Sequence, residues 1–232
     1  MTTLPAGWVR RPVRGGALCV PERLAASARA EWFDPHRPGA VAVGEGGRQA
    51  AWFVEGAHGA AVLRHYRRGG LRARLGRNTY CWLGEGRVRA WAEARVLAHL
   101  RSAGLRVPEP LAAAYWRRGL CYRTAILVAR IPGARALAGR LDQADPRAVA
   151  QAIHAMHAAG VWHADLNAYN ILFDDQDHVW LIDFDRARPG VVRPARRRKN
   201  LLRLRRSLVK VAGARGAQWW DALDGAYRQL SA

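Results

Sequence analysis

The spacing of apolar and polar positions changes several times along the chain, and each change predicts an element. "QAAWFVEG" and "GAAVLRHYRRGG" are strand-like runs joined by a glycine-bearing turn, which predicts a hairpin. "EGRVRAWAEARVLAHLRSAG" switches to helical spacing. Trp91, Ala94, Leu97 and Ala98 share a face there, and Gly104 supplies the stop. After "VPEP" come two more strand candidates, "LAAAYW" and "YRTAILVARI", the second ending at Pro132 and Gly133. The next helix is well signalled: Asp145 caps it, Pro146 fits its first turn, Val149, Ile153 and Met156 line one face, and Gly160 ends it. Two short apolar strands, "NILFD" and "VWLIDFD", then flank the turn "DQDH". Roughly the last forty residues read as helices, and the first forty, rich in Pro, Gly and Arg, predict only a short helical piece around "PERLAASARAEWFD". The pattern predicts an α+β protein with a sheet-based N-terminal lobe over 1–132 and a helical C-terminal lobe over 133–232.

At 232 residues and 50% apolar content, the chain can build a proper core. The formal charge of +20 is almost entirely arginine, since Lys199 and Lys210 are the only lysines. Such a charge favours anionic partners: nucleic acid, a lipid surface or a phosphorylated substrate. Cys19, Cys81 and Cys121 are scattered, without CxxC spacing, which argues against a disulfide framework or a zinc site and fits a reducing compartment. The N-terminal stretch lacks the apolar segment of a secretory signal, and no apolar run is long enough to span a bilayer. A soluble or peripheral protein is expected.

The candidate chemistry lies in "HADLNAYN", His163 to Asn170, and in "VWLIDFD", ending on Asp183 and Asp185. Asp165 sits in a short polar loop between apolar segments. Asn170 opens one strand of the predicted hairpin and Asp183 closes the other, so their side chains are expected to lie near one another. Such hard oxygen ligands suit Mg²⁺, which takes few protein carboxylates and completes its shell with water and phosphate oxygens. Asp165 then remains to accept a proton from an attacking hydroxyl, the division of labour of phosphoryl transfer.

"HADLNAYN" resembles the H-R-D-L-x-x-x-N catalytic loop of protein-kinase-like enzymes, and "IDFD" resembles their D-F-G. More specifically, "AWFVEG", "VLRHYRRGG", "IPGAR", "HADLNAYNIL" and "VWLIDFDRA" resemble the 3-deoxy-D-manno-octulosonic acid (Kdo) kinases of Gram-negative bacteria, from about residue 40 onward. That resemblance implies a protein-kinase-like two-lobed fold, with a small antiparallel-sheet N-lobe carrying one main helix and a mostly helical C-lobe. It implies ATP-dependent phosphorylation of the Kdo 4-hydroxyl on a lipid A precursor, in lipopolysaccharide inner-core biosynthesis at the cytoplasmic face of the inner membrane. Asp165 would be the catalytic base, and Asn170 and Asp183 the metal ligands. The cluster "VGEGGR" (Gly44, Gly46, Gly47) is a loose form of the nucleotide-covering loop. The strand lysine that would hold the ATP phosphates is missing; Arg64 in "AVLRHY" occupies the matching place, with Glu93 as its helix partner. A guanidinium binds phosphate through two bonds and stays charged, so the exchange is physically workable. Asp185 stands where the D-F-G glycine would be, so the residue that tolerates positive φ is absent there, and its carboxylate leans toward the metal. No A-P-E follows, which favours a small-molecule or lipid-linked acceptor over a protein.

From Arg186 to Trp220 there is no acidic residue. Leu201, Leu204, Leu208 and Val211 fall at helical spacing, with basic residues around the axis. The leucines are accounted for by a core-facing stripe. Arg196, Arg197, Arg198, Lys199, Arg203 and Arg206 are expected to meet an anionic membrane surface and the phosphates and carboxylate of the acceptor. Trp219 and Trp220 fit either an interfacial anchor or the core. His163 reads as a loop-shaping residue, and His154 and His157 as structural. An aminoglycoside kinase fits poorly because cationic substrates call for an acidic pocket. A heptose kinase of the same pathway is the nearer alternative. A nucleic-acid-binding protein on a kinase fold lacks interleaved exposed aromatics, so nucleic acid is not expected as a partner. Nothing points to an obligate protein partner.

Overall fold

The protein is described from a computed structural model over residues 4–43, 51–66 and 79–231. The chain divides into two compact units: Met1–Ala98 with Glu109–Arg130, and His99–Pro108 with Ile131–Ala232. The second segment of the first unit therefore ends at Arg130, two residues before the expected limit at 132. Residues 99–108, expected in the first lobe, belong to the second unit.

Among the described residues the first unit holds an eight-stranded sheet whose paired neighbours are all antiparallel. Its strands are β1 (Trp8–Val13), β2 (Gly16–Pro21), β3 (Val41–Ala42), β4 (Ala51–Val54), β5 (Ala61–His65), β6 (Tyr80–Cys81), β7 (Pro110–Arg118) and β8 (Cys121–Ala129). They run in the order β1-β2-β7-β8-β5-β4-β3, with β6 on the other end of β8. The unbroken apolar runs of β7 and β8 make the centre, buried along most of their length. β4 and β5 alternate instead, and send Trp52, Val54, Ala61 and Leu63 into a core with Leu18, Val20, Trp32, Phe33 and Leu127. The expected hairpin of β4 and β5 pairs Ala51 with Arg64.

β1 and β2 form a hairpin that the sequence pattern did not predict, because "WVRRPV" neither alternates nor lacks proline. Pro12 is tolerated because β1 is the sheet edge, where a missing N–H costs no ladder bond. The register Val13↔Gly16 leaves Arg14 and Gly15 as the turn, with Gly15 at φ 75°. Gly16 is required by contact: a Cβ there would lie 1.9 Å from the Tyr115 carbonyl oxygen on β7. The piece expected to be helical, near residues 21–34, forms two short 3₁₀ turns, Glu22–Leu24 and Ala30–Phe33. Helix α1 (Arg89–Ser102) buries Trp91, Ala94 and Leu97 as expected and also Ala90, Val96 and Leu100. Gly104 follows it at φ 80°.

In the second unit α2 (Pro146–Ala158) starts as expected: Asp145 accepts from the backbone N–H of Arg147 at 2.9 Å and of Ala148 at 3.2 Å. Val149, Ile153 and Met156 are fully buried. Short strands β9 (Arg135–Ala136), β10 (Val161–Trp162), β11 (Ile171–Phe173), β12 (Val179–Leu181) and β13 (Arg188–Pro189) follow, paired as β12-β11-β9 and β10-β13. The final helical segment, α3 (Pro194–Gln229), is broken at Gly213, whose φ 57° and ψ −131° are not helical. Its two halves fold back on each other. Trp220 Nε1 donates to the Leu201 carbonyl at 2.9 Å, Arg198 pairs with Asp224 at 2.5 Å, and a Cβ on Gly216 would lie 2.2 Å from the Leu208 carbonyl oxygen. Leu201, Leu204, Leu208, Trp220, Leu223 and Tyr227 are buried, which places Trp220 in the core. Trp219 Nε1 donates to the Ala144 carbonyl at 3.1 Å. No described helix is long and apolar enough to cross a membrane.

Candidate active site

The loop between β10 and β11 is held by bonds that run through its whole length. His163 is fully buried, and its Nε2 lies 2.9 Å from the Ile182 carbonyl while its Nδ1 accepts from the Asp165 backbone N–H at 3.1 Å. That pairing requires a neutral imidazole with its proton on Nε2. Burial depresses the His163 pKa, which keeps the ring neutral. The Phe184 ring packs 4.8 Å from it. Further along, Ala168 N–H donates to Ser207 Oγ at 3.1 Å, and Ala138 N–H to the Ala168 carbonyl at 3.1 Å.

Asn200, on α3, is a second anchor that no periodicity announces. It is fully buried. Its Nδ2 donates to the His163 carbonyl at 2.5 Å, and its Oδ1 accepts from His163 N–H at 3.2 Å and from His157 Nε2 at 3.0 Å. Tyr227 donates from its hydroxyl to His157 Nδ1 at 2.8 Å. Burial is the main reason the His157 pKa falls to about 4. A chain of buried polar groups therefore links α2, the two halves of α3 and the loop.

Asp165 is half exposed, and its Oδ1 accepts from Arg203 Nε at 2.9 Å and also from Arg203 Nη2. Burial pushes this carboxyl up, but the Arg203 guanidinium and other hydrogen bonds outweigh it, so its pKa lies below the ordinary value. Asp165 is ionised at neutral pH. Asn167 and Asn170 each donate from Nδ2 to the Asp165 carbonyl at 2.9 Å. Asn170 is also the residue that opens the β11–β12 hairpin: Ile182 N–H donates to its carbonyl at 3.0 Å, one residue before Asp183. Asp183 has φ 63°, whereas Asp185 is not at positive φ. The left-handed position thus falls on Asp183, a residue type that tolerates it, and the missing glycine at 185 is not needed.

Asp165, Asp183 and Asp185 line one cavity of about 550 Å³ together with Trp162, Ala164, Arg186, Arg188 and Arg203. Asn170 is not on its wall; its Nδ2 donates to the Asp165 carbonyl. Carboxylates are hard oxygen donors of the kind a divalent cation takes, but no group of three or more His, Cys, Asp or Glu side chains among the described residues is set to hold a metal ion.

In the first unit Arg64, on β5, pairs with Glu93, on α1, at 2.9 Å; Glu93 is 1% exposed and also accepts from the Tyr66 hydroxyl. Gly44, Gly46 and Gly47 lie outside the described residues.

The basic residues expected to meet an anionic surface do not all lie together on α3. Arg196, Lys199, Arg203, Arg206 and Lys210 recur at i, i+3, i+7, i+10 and i+14, all exposed, and so form one stripe on the half before Gly213. Arg197 and Arg198 leave that stripe: Arg197 donates to the Val192 carbonyl at 2.9 Å, and Arg198 pairs with Asp224. Arg203 turns from the stripe to Asp165, a contact 38 residues apart in sequence.

The chain matches the lipopolysaccharide kinase (Kdo/WaaP) family over residues 36–227. It is 47% identical over 209 residues to the 3-deoxy-D-manno-octulosonic acid kinase of Stenotrophomonas maltophilia (strain R551-3), covering 88% of this chain and 84% of that protein. The protein of the same name from Xanthomonas campestris pv. campestris (strain B100) is 48% identical over 209 residues, covering 86% and 83%. With the match spanning most of both units, this chain belongs to the lipopolysaccharide kinase (Kdo/WaaP) family.

Proposed function

We propose that this protein transfers the γ-phosphoryl group of ATP to the 4-hydroxyl of the Kdo residue on a lipid A precursor, in lipopolysaccharide inner-core biosynthesis, and that its two units are the lobes of a protein-kinase-like fold. The observation that carries this reading is the shared cavity of Asp165 and Asp183, with Asp165 ionised and locked in a loop whose backbone and side-chain bonds leave it little freedom. Asp165 is the base. Arg203 holds Oδ1, so Oδ2 is the oxygen assigned to the acceptor hydroxyl, whose proton it receives as the oxygen attacks phosphorus. His163 acts through structure: with its Nε2 proton on Ile182 and its Nδ1 on the Asp165 backbone, it sets the distance between the base and the Asp183 segment.

Asn170 and Asp183 are the residues that would hold Mg²⁺, each offering a hard oxygen, with Asp183 on the wall of the cavity that Asp165 lines. Bound there, the cation would neutralise charge on the phosphates during transfer. Arg64, braced by buried Glu93, is assigned to the ATP phosphates, the part that a lysine plays elsewhere in the superfamily. The exposed stripe of Arg196, Lys199, Arg206 and Lys210 is assigned to the anionic inner-membrane surface, where each charge contributes about 1 kcal/mol of attraction. The protein is then a peripheral one on the cytoplasmic side, within reach of a lipid-embedded acceptor.

The test is an acceptor panel: purified protein, labelled ATP and Mg²⁺ with Kdo-bearing lipid A precursor, heptose-bearing core, or RNA. Label on the Kdo lipid, at position 4 by phosphorus-coupled NMR, is the expected result. Label on the heptose-bearing core alone would reassign the acceptor, and no transfer to any of the three would end the proposal.

A further inference from the structure

Three guanidiniums share the cavity with the base, and among the described residues only Arg203 has an ion-pair partner. Arg203 is paired with Asp165, but both of its bonds leave from Nε and Nη2, so its Nη1 edge points elsewhere. Arg186 and Arg188 line the same cavity, and no ion pair involves either among the described residues. They are positioned by backbone. Ala187 N–H closes a turn on the Phe184 carbonyl at 2.9 Å, β13 pairs Arg188 with Trp162 of β10, and Gly190 N–H donates to the Gly160 carbonyl at 2.7 Å. Arg186 lies in that turn and Arg188 opens the short strand β13, so the two reach the cavity from the turn and from the run that follows it. The close approach of Gly160 to Gly190, where a Cβ would meet the carbonyl oxygen at 3.1 Å, fixes that run against the end of α2.

We infer that Arg186, Arg188 and Arg203 form a receiving site for the carboxylate of an acidic acceptor sugar, next to the base. The inference rests on the acceptor reading of the preceding subsection and assigns two residues that lie outside the basic helix. Guanidinium is the group suited to it, because its planar fork matches a carboxylate through paired hydrogen bonds and stays charged at any working pH. Arg203 adds a ruler. Bonded to Asp165 on one edge and to the sugar carboxylate on the other, it sets the span between the base and that carboxylate. The acceptor hydroxyl assigned to the base stands two carbons from the carboxyl-bearing carbon, so the two groups leave the sugar near one another. A neutral sugar with the same hydroxyl would bind without registration and transfer poorly, so the arginines would give selectivity for acidic sugars.

Two measurements test this in the full-length protein. In steady-state transfer to Kdo-bearing lipid, Arg186→Gln and Arg188→Gln should each raise the acceptor KM about 10- to 100-fold, the range for losing a hydrogen bond to a charged group, and leave the ATP KM within about twofold. In calorimetry with the methyl glycoside of Kdo as probe, wild type should bind the free acid, should bind its carboxyl methyl ester at least about 10-fold more weakly, and the double variant should lose that preference. An ATP KM that rises in place of the acceptor KM would give the arginines to the nucleotide and overturn the assignment. So would equal binding of acid and ester, or no binding of the acid by wild type. If wild type transfers nothing to the Kdo lipid, the acceptor reading fails by itself, and the acid-over-ester preference and its loss in the double variant still decide the carboxylate site. Both residues are exposed, so unchanged melting is expected in each variant.

Discussion

Asn200→Leu is the sharpest perturbation of the loop. Leucine keeps the volume, so packing is nearly conserved, but every hydrogen bond of the amide is lost. Wild-type Asn200 satisfies three buried partners: the His163 carbonyl, the His163 N–H and His157 Nε2. Each orphaned buried group costs about 1–3 kcal/mol, and the relief of no longer burying an amide offsets part of the sum. A net loss of roughly 3–5 kcal/mol is expected, enough to consume a large part of a domain's stability. The denaturation midpoint in urea measures it, with the slope unchanged if only the native state is affected. Because His163 also holds the Asp165 backbone, single-turnover transfer by the folded fraction should fall by more than about tenfold, as small displacements of positioned groups are costly. A stability change under about 1 kcal/mol with wild-type turnover would show that α3 does not hold the loop of His163 to Asn170, and the positional argument for Asp165 would lose its support.

Arg64→Met strips a 1%-exposed carboxylate of its guanidinium and should cost about 3 kcal/mol or more, with a raised ATP KM; Arg64→Lys should restore most of both, and unaltered ATP kinetics in Arg64→Met would remove Arg64 from the nucleotide site. His157 is held neutral, with a pKa near 4 against an ordinary 6.5. The unfolded chain therefore takes up its proton first as pH falls. Stability should be complete above about pH 6.5 and decline toward pH 4 by roughly 3 kcal/mol from this group, at about 1.4 kcal/mol per tenfold change in proton affinity. Urea midpoints across that window should flatten in His157→Gln, and an unchanged slope would contradict the assignment. Reversal of the exposed stripe (Arg196→Glu, Lys199→Glu, Arg206→Glu, Lys210→Glu) should abolish cosedimentation with phosphatidylglycerol vesicles at physiological salt, and retained binding would refute the membrane-facing role.

The elements most legible in the sequence are those whose signals are local. Asp145, Pro146 and Gly160 bracket α2 through capping bonds within a few residues. The β11–β12 hairpin announces itself by "DQDH", where Asp174 Oδ1 accepts from the N–H groups of Gln176 and His178 at 3.0 and 2.9 Å. Three features were not legible because their causes are distant in sequence. β1 is a strand because β2, itself paired to β7, holds it against the preference of "WVRRPV". The C-terminal stretch reads as helices, but the place of the break between them is not legible, since Gly213 takes non-helical backbone angles that the letters do not encode. In the site, Asp165, Asn170 and Asp183 follow from motif spacing, but the bonds from Asn200 and Arg203 cross nearly forty residues and depend on the register of α3. Basic density alone likewise could not separate Arg197 and Arg198, spent on Val192 and Asp224, from the stripe beside them.

The central claim is that the Asp165 carboxylate receives the acceptor's proton. Single-turnover transfer from ATP to Kdo-bearing lipid by Asp165→Asn, measured beside ATP affinity and melting, addresses it directly. The account predicts a fall in rate of about 10²- to 10⁴-fold with ATP affinity and fold nearly intact. A rate within a few-fold of wild type would contradict it.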